Sequence, residues 1–139
     1  MRIIGIDPGS SGAIAMLDTS ESVQYWKMPD TEMDLWDCLV NQKPIAAAFI
    51  EKVHAMPRQG VSSTFKFGRN YGMLLMALTA SGIPFTEVTP QTWQKSLNCM
   101  SKGDKNVTKR RAQQLFPQLK VTHAIADALL IAEYGRRVL

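Results

Sequence analysis

Ile3-Ile4-Gly5-Ile6-Asp7-Pro8-Gly9 decides how the rest of the chain is read. A short apolar run that reaches an aspartate and stops at Pro-Gly has the pattern of a buried strand, Ile3 to Asp7, closed by a turn. Ser10-Ser11-Gly12 prolongs that turn, and Ala13 to Leu17 is a second apolar run. Ser22 to Trp26 makes a third, and three strands joined by short turns predict an antiparallel meander. Thr31 reads as a helix N-cap with Asp34 three positions on, and Met33, Trp36, Leu39 and Val40 form one helical face. Ile45 to Ile50 is a continuous apolar run, short enough for a central strand, and it ends at Glu51. Because a helical crossover precedes it, this strand is expected parallel to the first. Asp7 and Glu51 then meet at the carboxyl ends of adjacent strands, where open α/β sheets bind ligands.

Residues 52–67 are rich in Arg, Gln, Gly and Ser without periodicity and read as a long linker, with Met56 packing inside it. Tyr71 to Leu78 is apolar almost all round, which predicts a helix buried on more than one side: core, and a subunit interface. Ile83 to Val88 is a fifth strand. Thr89-Pro90 starts a helix with a cap followed by proline at the first helical position. Val107 to Phe116 is a short basic helix, and His123 to Arg137 is the last, with Ile125, Leu129 and Ala132 packing inward. The order predicts an α/β fold, a mixed five-stranded sheet flanked by helices.

At 139 residues, with 45% hydrophobic and 20% charged side chains, the composition is that of one globular domain (residues 1–139) with its own core. It excludes a disordered or fibrous chain. No apolar run reaches the ~18 residues of a membrane span, so no membrane partner is expected. Asp7 and Pro8 break the opening apolar stretch too early for a signal peptide. Cys38 and Cys99 form neither a disulfide framework nor a CxxC pair, so a reducing, cytoplasmic setting is the default.

Charge is unevenly placed. Residues 1–51 hold three basic and eight acidic side chains, net −5, whereas residues 52–120 hold eleven basic side chains against Glu87 and Asp104, net +9. A basic middle segment predicts a polyanion-binding surface, and Lys102, Lys105, Lys109, Arg110 and Arg111 within ten positions favour nucleic acid over a merely solvated face. Arg58, Lys66 and Arg69 extend the candidate set. Their phosphate contacts would position a nucleic acid without reading bases.

The carboxylates are the second signal. Asp7 and Glu51 each follow an apolar run, at the edge of the core, where an unpaired charge is costly. Asp127 lies in His-Ala-Ile-Ala-Asp-Ala-Leu-Leu-Ile-Ala, among small and apolar neighbours, with His123 four residues earlier on the same helix face. Three isolated acids and a histidine favour a hard divalent cation such as Mg²⁺. Nothing here has the Cys/His spacing of zinc.

Ile4-Gly-Ile-Asp-Pro-Gly-Ser-Ser-Gly-Ala-Ile-Ala resembles the first hairpin of the RuvC family of Holliday-junction resolvases. Phe49-Ile-Glu-Lys-Val-His resembles its second acidic strand, and Ser63-Thr-Phe-Lys-Phe-Gly-Arg-Asn-Tyr-Gly the start of its long central helix. Val88-Thr-Pro-Gln-Thr-Trp-Gln-Lys, Gly103-Asp-Lys and His123 to Ala132 are similar to the compact phage versions, for which the setting would be the host cytoplasm. The likeness runs through nearly the whole chain in order. It implies an RNase H-like fold, a homodimer, and cleavage of four-way or branched DNA with two Mg²⁺ ions per site, Mn²⁺ being the alternative. Paired symmetric nicks would leave a 5′-phosphate and a 3′-hydroxyl. Carried over, Asp7, Glu51 and Asp127 are metal-binding carboxylates, with Asp7 bridging both ions.

His123 falls beside the family's fourth ligand position and is expected to be a ligand or to position the nucleophile. The pattern departs here: the spacing to Asp127 is four rather than three, Thr122 stands where phage relatives often have Asp, and Ala124 is no acid. His54 sits where the resemblance places an aromatic that stacks on opened junction bases; Phe65 and Phe67 rank below it as core candidates. The alternatives are an RNase H-like nuclease acting on flaps or hybrids, and a catalytically weak junction-binding protein.

Overall fold

A computed structural model describes residues 1–20, 22–54 and 58–139; Met56 lies outside the described residues. The elements in chain order are β1 (Arg2–Asp7), β2 (Ala13–Asp18), β3 (Val23–Lys27), α1 (Glu32–Val40), β4 (Ala47–Glu51), α2 (Val61–Ala80), β5 (Phe85–Val88), α3 (Pro90–Ser96), α4 (Lys105–Leu115) and α5 (His123–Val138). The strands form one sheet in the order β3-β2-β1-β4-β5. The meander β1-β2-β3 is antiparallel, and β4 and β5 add parallel to it, so the sheet is mixed as expected. Among the described residues no helix is long and apolar enough to cross a membrane.

The β1-β2 turn depends on two glycines. Gly9 takes φ +103°, and a Cβ on Gly12 would stand 1.9 Å from the Asp7 carbonyl oxygen. The Gly12 N–H donates to the Gly9 carbonyl at 3.0 Å and closes the turn. The chain therefore reverses directly after Asp7, which leaves that residue at the sheet's rim.

Period-two alternation splits β1 between two cores. Ile4 and Ile6 pack with Ile14, Met16, Leu35 and Leu74 on the α1–α2 face. Ile3 belongs with Phe49, Trp93 and Leu129 on the face covered by α3, α4 and α5. Gly5 and Asp7 share the parity of Ile3 and so face α5. A Cβ on Gly5 would meet the backbone of α5 at 2.3 Å (Ala132 N) and 2.4 Å (Ala128 O). Hydrogen at this one position lets a helix lie directly on a central strand.

Several expectations are corrected. The linker read over residues 52–67 ends early, because α2 begins at Val61. Its first turns are Ser, Thr, Lys and Gly on an exposed face, so no apolar stripe announces them. Helix there propagates from the packed half and is tied down where the Asn70 Oδ1 accepts the Gly9 N–H at 2.7 Å. In Tyr71 to Leu78 the core side is as expected, with Leu74 and Leu78 buried, and Met76, 63% exposed, lies on the side expected to meet a second subunit. In α1 the buried pair is Leu35 and Leu39, with Met33 and Trp36 turned outward. Thr31 and Thr89 cap α1 and α3 as expected, accepting the N–H of Asp34 and Thr92.

Candidate active site

Three elements deliver the acids to one place. Ile6 pairs in parallel register with Ile50, so the next residues, Asp7 and Glu51, end neighbouring strands side by side. The α5 backbone at Ala128 and Ala132 rests over Gly5, which brings Asp127, one residue before Ala128, over the same end. Asp7 is pushed well above the ordinary carboxylate range by burial and then by the charges of Asp127 and Glu51, with Lys105 opposing. Burial pushes Glu51 up to about 7; the Trp93 hydrogen bond works against this, and the charge of Asp127 adds to it. Asp127 is raised by burial, against a hydrogen bond from Thr108 and the nearby charges of Lys105 and His123. Burial is thus the main cause at all three acids, the charge of Asp127 adds to it at Asp7 and Glu51, and protein groups only partly compensate.

The donor chemistry suits a hard divalent cation: carboxylate oxygens and an excess of negative charge. As they stand, the side chains are not drawn in around an ion. Among the described residues no group of three His, Cys, Asp or Glu is gathered closely enough to hold one.

His123 is the exposed first residue of α5, within electrostatic reach of Asp127. Lys105, expected only as a phosphate contact, opens α4 behind its cap Asp104 and lies close enough to act on both Asp7 and Asp127. Composition gave no hint of Trp93 or Thr108. Trp93 is fully buried, and its indole N–H donates to Glu51 Oε2 at 2.8 Å. A buried tryptophan needs an acceptor, and that requirement was the available signal. On the opposite face the Tyr71 hydroxyl donates to the Glu87 carboxylate. Burial and that carboxylate raise the Tyr71 phenol.

The basic candidates are dispersed. His54, Arg58, Lys66, Lys102 and Arg110 are exposed, and Lys109 is half-buried. Arg69 is exposed and pairs with Glu32 at 3.4 Å. Arg111 is half-buried and partly committed to the fold, its Nε donating to the Leu97 carbonyl at 2.8 Å. Phe65, ranked as core, is 72% exposed, whereas Phe67 is half-buried beside Gly9. An open cleft of about 630 Å³ lies beyond the β1-β2 turn, lined by Gly9, Ser11, Asp30, Lys66, Phe67 and Asn70 among others. It flanks the acids without including them.

No protein-family model matches the chain. Among curated proteins it is similar to the crossover junction endodeoxyribonuclease RuvC of Allorhizobium ampelinum, 30% identical over 148 residues covering 95% of this chain and 87% of that protein. The RuvC of Brucella suis is 26% identical over 147 residues, covering 95% and 85%. Among solved structures, Thermus thermophilus RuvC superposes with a TM-score of 0.67 at 16% identity, covering 99% of this chain and 96% of that one. The same protein in complex with a Holliday junction substrate gives 0.65 at 18%, again covering 99% and 96%. The fowlpox virus Holliday junction resolvase gives 0.56 at 15%, over the full length of both. These structural likenesses establish the RNase H-like fold, and the sequence relatives establish descent: the chain belongs to the RuvC family of crossover junction endodeoxyribonucleases.

Proposed function

We propose that the protein is a divalent-metal-dependent endonuclease that resolves Holliday and other branched DNA junctions by paired symmetric nicks, leaving 5′-phosphate and 3′-hydroxyl ends. Family membership supports the junction-resolving activity. One observation carries the chemistry: Asp7, Glu51 and Asp127 come from three separate elements and converge at one end of the sheet, each with its carboxyl raised chiefly by burial. A purely structural role would have supplied each with a salt-bridge partner, as Arg136 and Arg137 do for Glu133.

Bound divalent ions, two Mg²⁺ or Mn²⁺ per site, would supply an activated water and stabilise charge on the scissile phosphate and the leaving 3′-oxygen. Asp7, which feels the charges of both other acids, would help to hold both ions. Glu51 would complete one position, and Asp127 with His123 the other. Lys105 brings a positive charge beside Asp7 and Asp127, where a phosphate must enter, and so favours the ionised acids and the substrate together. His54, Arg58, Lys66, Arg69, Lys102, Lys109, Arg110 and the remaining donors of Arg111 would hold the arms through phosphates, with the exposed Phe65 available for stacking.

A four-way junction with opened arms is two-fold symmetric, and a homodimer places one site on each of two opposed strands. The exposed apolar residues of α2, Met76 among them, support that assembly. The test is cleavage of a synthetic mobile junction in Mg²⁺, wild type beside Asp7→Asn, with linear duplex and a flap as controls. Paired nicks on the junction, lost in Asp7→Asn while binding persists, are expected. Tight binding without nicks in Mg²⁺ or Mn²⁺, or preferential cutting of flaps, overturns the assignment.

A further inference from the structure

Trp93 is tied to the acids by one hydrogen bond, and the architecture around that bond is specific. Glu51 pairs in register with Val88 at the end of β5. The backbone N–H of the next residue, Lys52, also donates to the Val88 carbonyl at 2.7 Å, which fixes the main chain on both sides of the acid. Thr89 caps α3 immediately after β5, and Pro90 occupies its first turn. This start leaves α3 little freedom of direction, and it folds back across the end of the sheet with Trp93 inward and fully buried. The indole N–H donates and never accepts, and at 2.8 Å it is aimed at a single oxygen, Glu51 Oε2. A serine or lysine in its place could swing away. A fully buried indole packed in a core cannot.

We infer that Trp93 is a positioning residue, its indole N–H holding one oxygen of the Glu51 carboxylate so that only the other is presented to a divalent cation. This rests on the nuclease reading. The partner behind a metal ligand sets the ligand's orientation, and removing such a partner typically costs about 10–100-fold in metal affinity or activity. Tryptophan's bulk alone would stabilise the core without touching metal affinity, so the two roles separate in experiment.

Trp93→Phe keeps a buried ring and deletes the N–H. Calorimetric titration of Mn²⁺ into the free protein should show affinity weakened by about 10–100-fold, with metal-free junction binding unchanged. In cleavage, kcat at fixed Mg²⁺ should fall while KM for the junction holds. Unchanged Mn²⁺ affinity in folded Trp93→Phe overturns the proposal. A second measurement needs no change at Trp93. Of the three indole N–H resonances (Trp26, Trp36 and Trp93), the one left after Trp26→Phe and Trp36→Phe should move on adding Mg²⁺ and in Glu51→Gln. Insensitivity to both also overturns it. A wild type that nicks no branched DNA with any ion would remove the nuclease reading. The titration and the resonance, both read on the free protein, would still judge the Trp93–Glu51 link by itself.

Discussion

Gly5→Ala tests how the site is assembled. The added methyl would stand 2.3 Å from Ala132 N, 2.4 Å from Ala128 O and 2.8 Å from Ala132 Cα, where ordinary contact begins near 3.4 Å. Every one of these atoms is helix backbone, so no side chain can rotate aside. The strand cannot retreat either, because β1 is hydrogen-bonded to β2 on one edge and β4 on the other. Relief requires α5 to lift by about 1 Å, the difference between those distances. Asp127, adjacent to Ala128, moves with it, away from Asp7. A displacement of about 1 Å in a catalytic group costs on the order of 100-fold in rate. Overpacking costs about 1–3 kcal/mol of stability, which at this chain length lowers the melting temperature by several degrees. The assay is single-turnover junction nicking in saturating Mg²⁺, normalised to the folded fraction, beside a thermal melt. A variant that melts early but nicks at the wild-type rate per folded molecule would refute the claim that Gly5 sets the position of Asp127.

Metal-free stability should fall as pH rises from about 4.5 to about 7. Glu51 holds its proton up to about 7 in the fold but loses it near 4.5 when unfolded, so the native state binds more protons across that window. Asp7 and Asp127, also raised, add in the same direction; melts in EDTA across the window check this, and stability that climbs instead contradicts it. The gain in melting temperature on adding Mg²⁺ should grow with pH over the same range, because the ion competes with those protons. Asp127→Asn should abolish nicking yet raise the metal-free melting temperature at pH 8 by about 3 °C or more, through relief of repulsion on Asp7. Arg111→Ala should cost about 1–3 kcal/mol by orphaning the Leu97 carbonyl, whereas Arg110→Ala should leave the melt unchanged, and both should weaken junction binding in a salt-dependent way.

Sheet and acids were legible for a physical reason. Buried strands are short apolar runs bounded by turns, and an acid at the end of such a run has few structural excuses. Hence all five strands, their mixed direction and the meeting of Asp7 with Glu51 followed from the order of residues. The first half of α2 showed no periodicity, since an exposed helix extended from a packed one needs no pattern of its own; there only the resemblance over Ser63 to Gly72 pointed to the start of a helix. Met33 and Trp36 misled because apolar residues outside the core obey the same helical spacing as those within it. Phe65 misled for a different reason: a phenylalanine at a helix start is more often packed than exposed. The relation of Trp93 and Lys105 to Glu51, Asp7 and Asp127 was out of reach for another: it is made by tertiary contact between elements distant in sequence, which no local spacing encodes.

Two acids on α5 show why burial alone does not mark a site. Glu133 is only 6% exposed, as enclosed as much of the core. Yet Arg136 grips it with two hydrogen bonds at 2.7 and 2.6 Å, and Arg137 adds a third at 2.9 Å. Its carboxyl is accordingly held below the ordinary range despite burial. Six residues earlier on the same helix, Asp127 has only a hydroxyl and the neighbouring Lys105 and His123 against its burial, and its carboxyl is raised. Folding neutralises Glu133 from within and leaves Asp127, with Asp7 and Glu51, short of positive charge. Selection for stability alone would replace such acids, since a half-buried carboxylate with no salt bridge costs the fold whatever its sequence context. Three of them meeting at one sheet edge make sense when the missing charge comes from outside the chain.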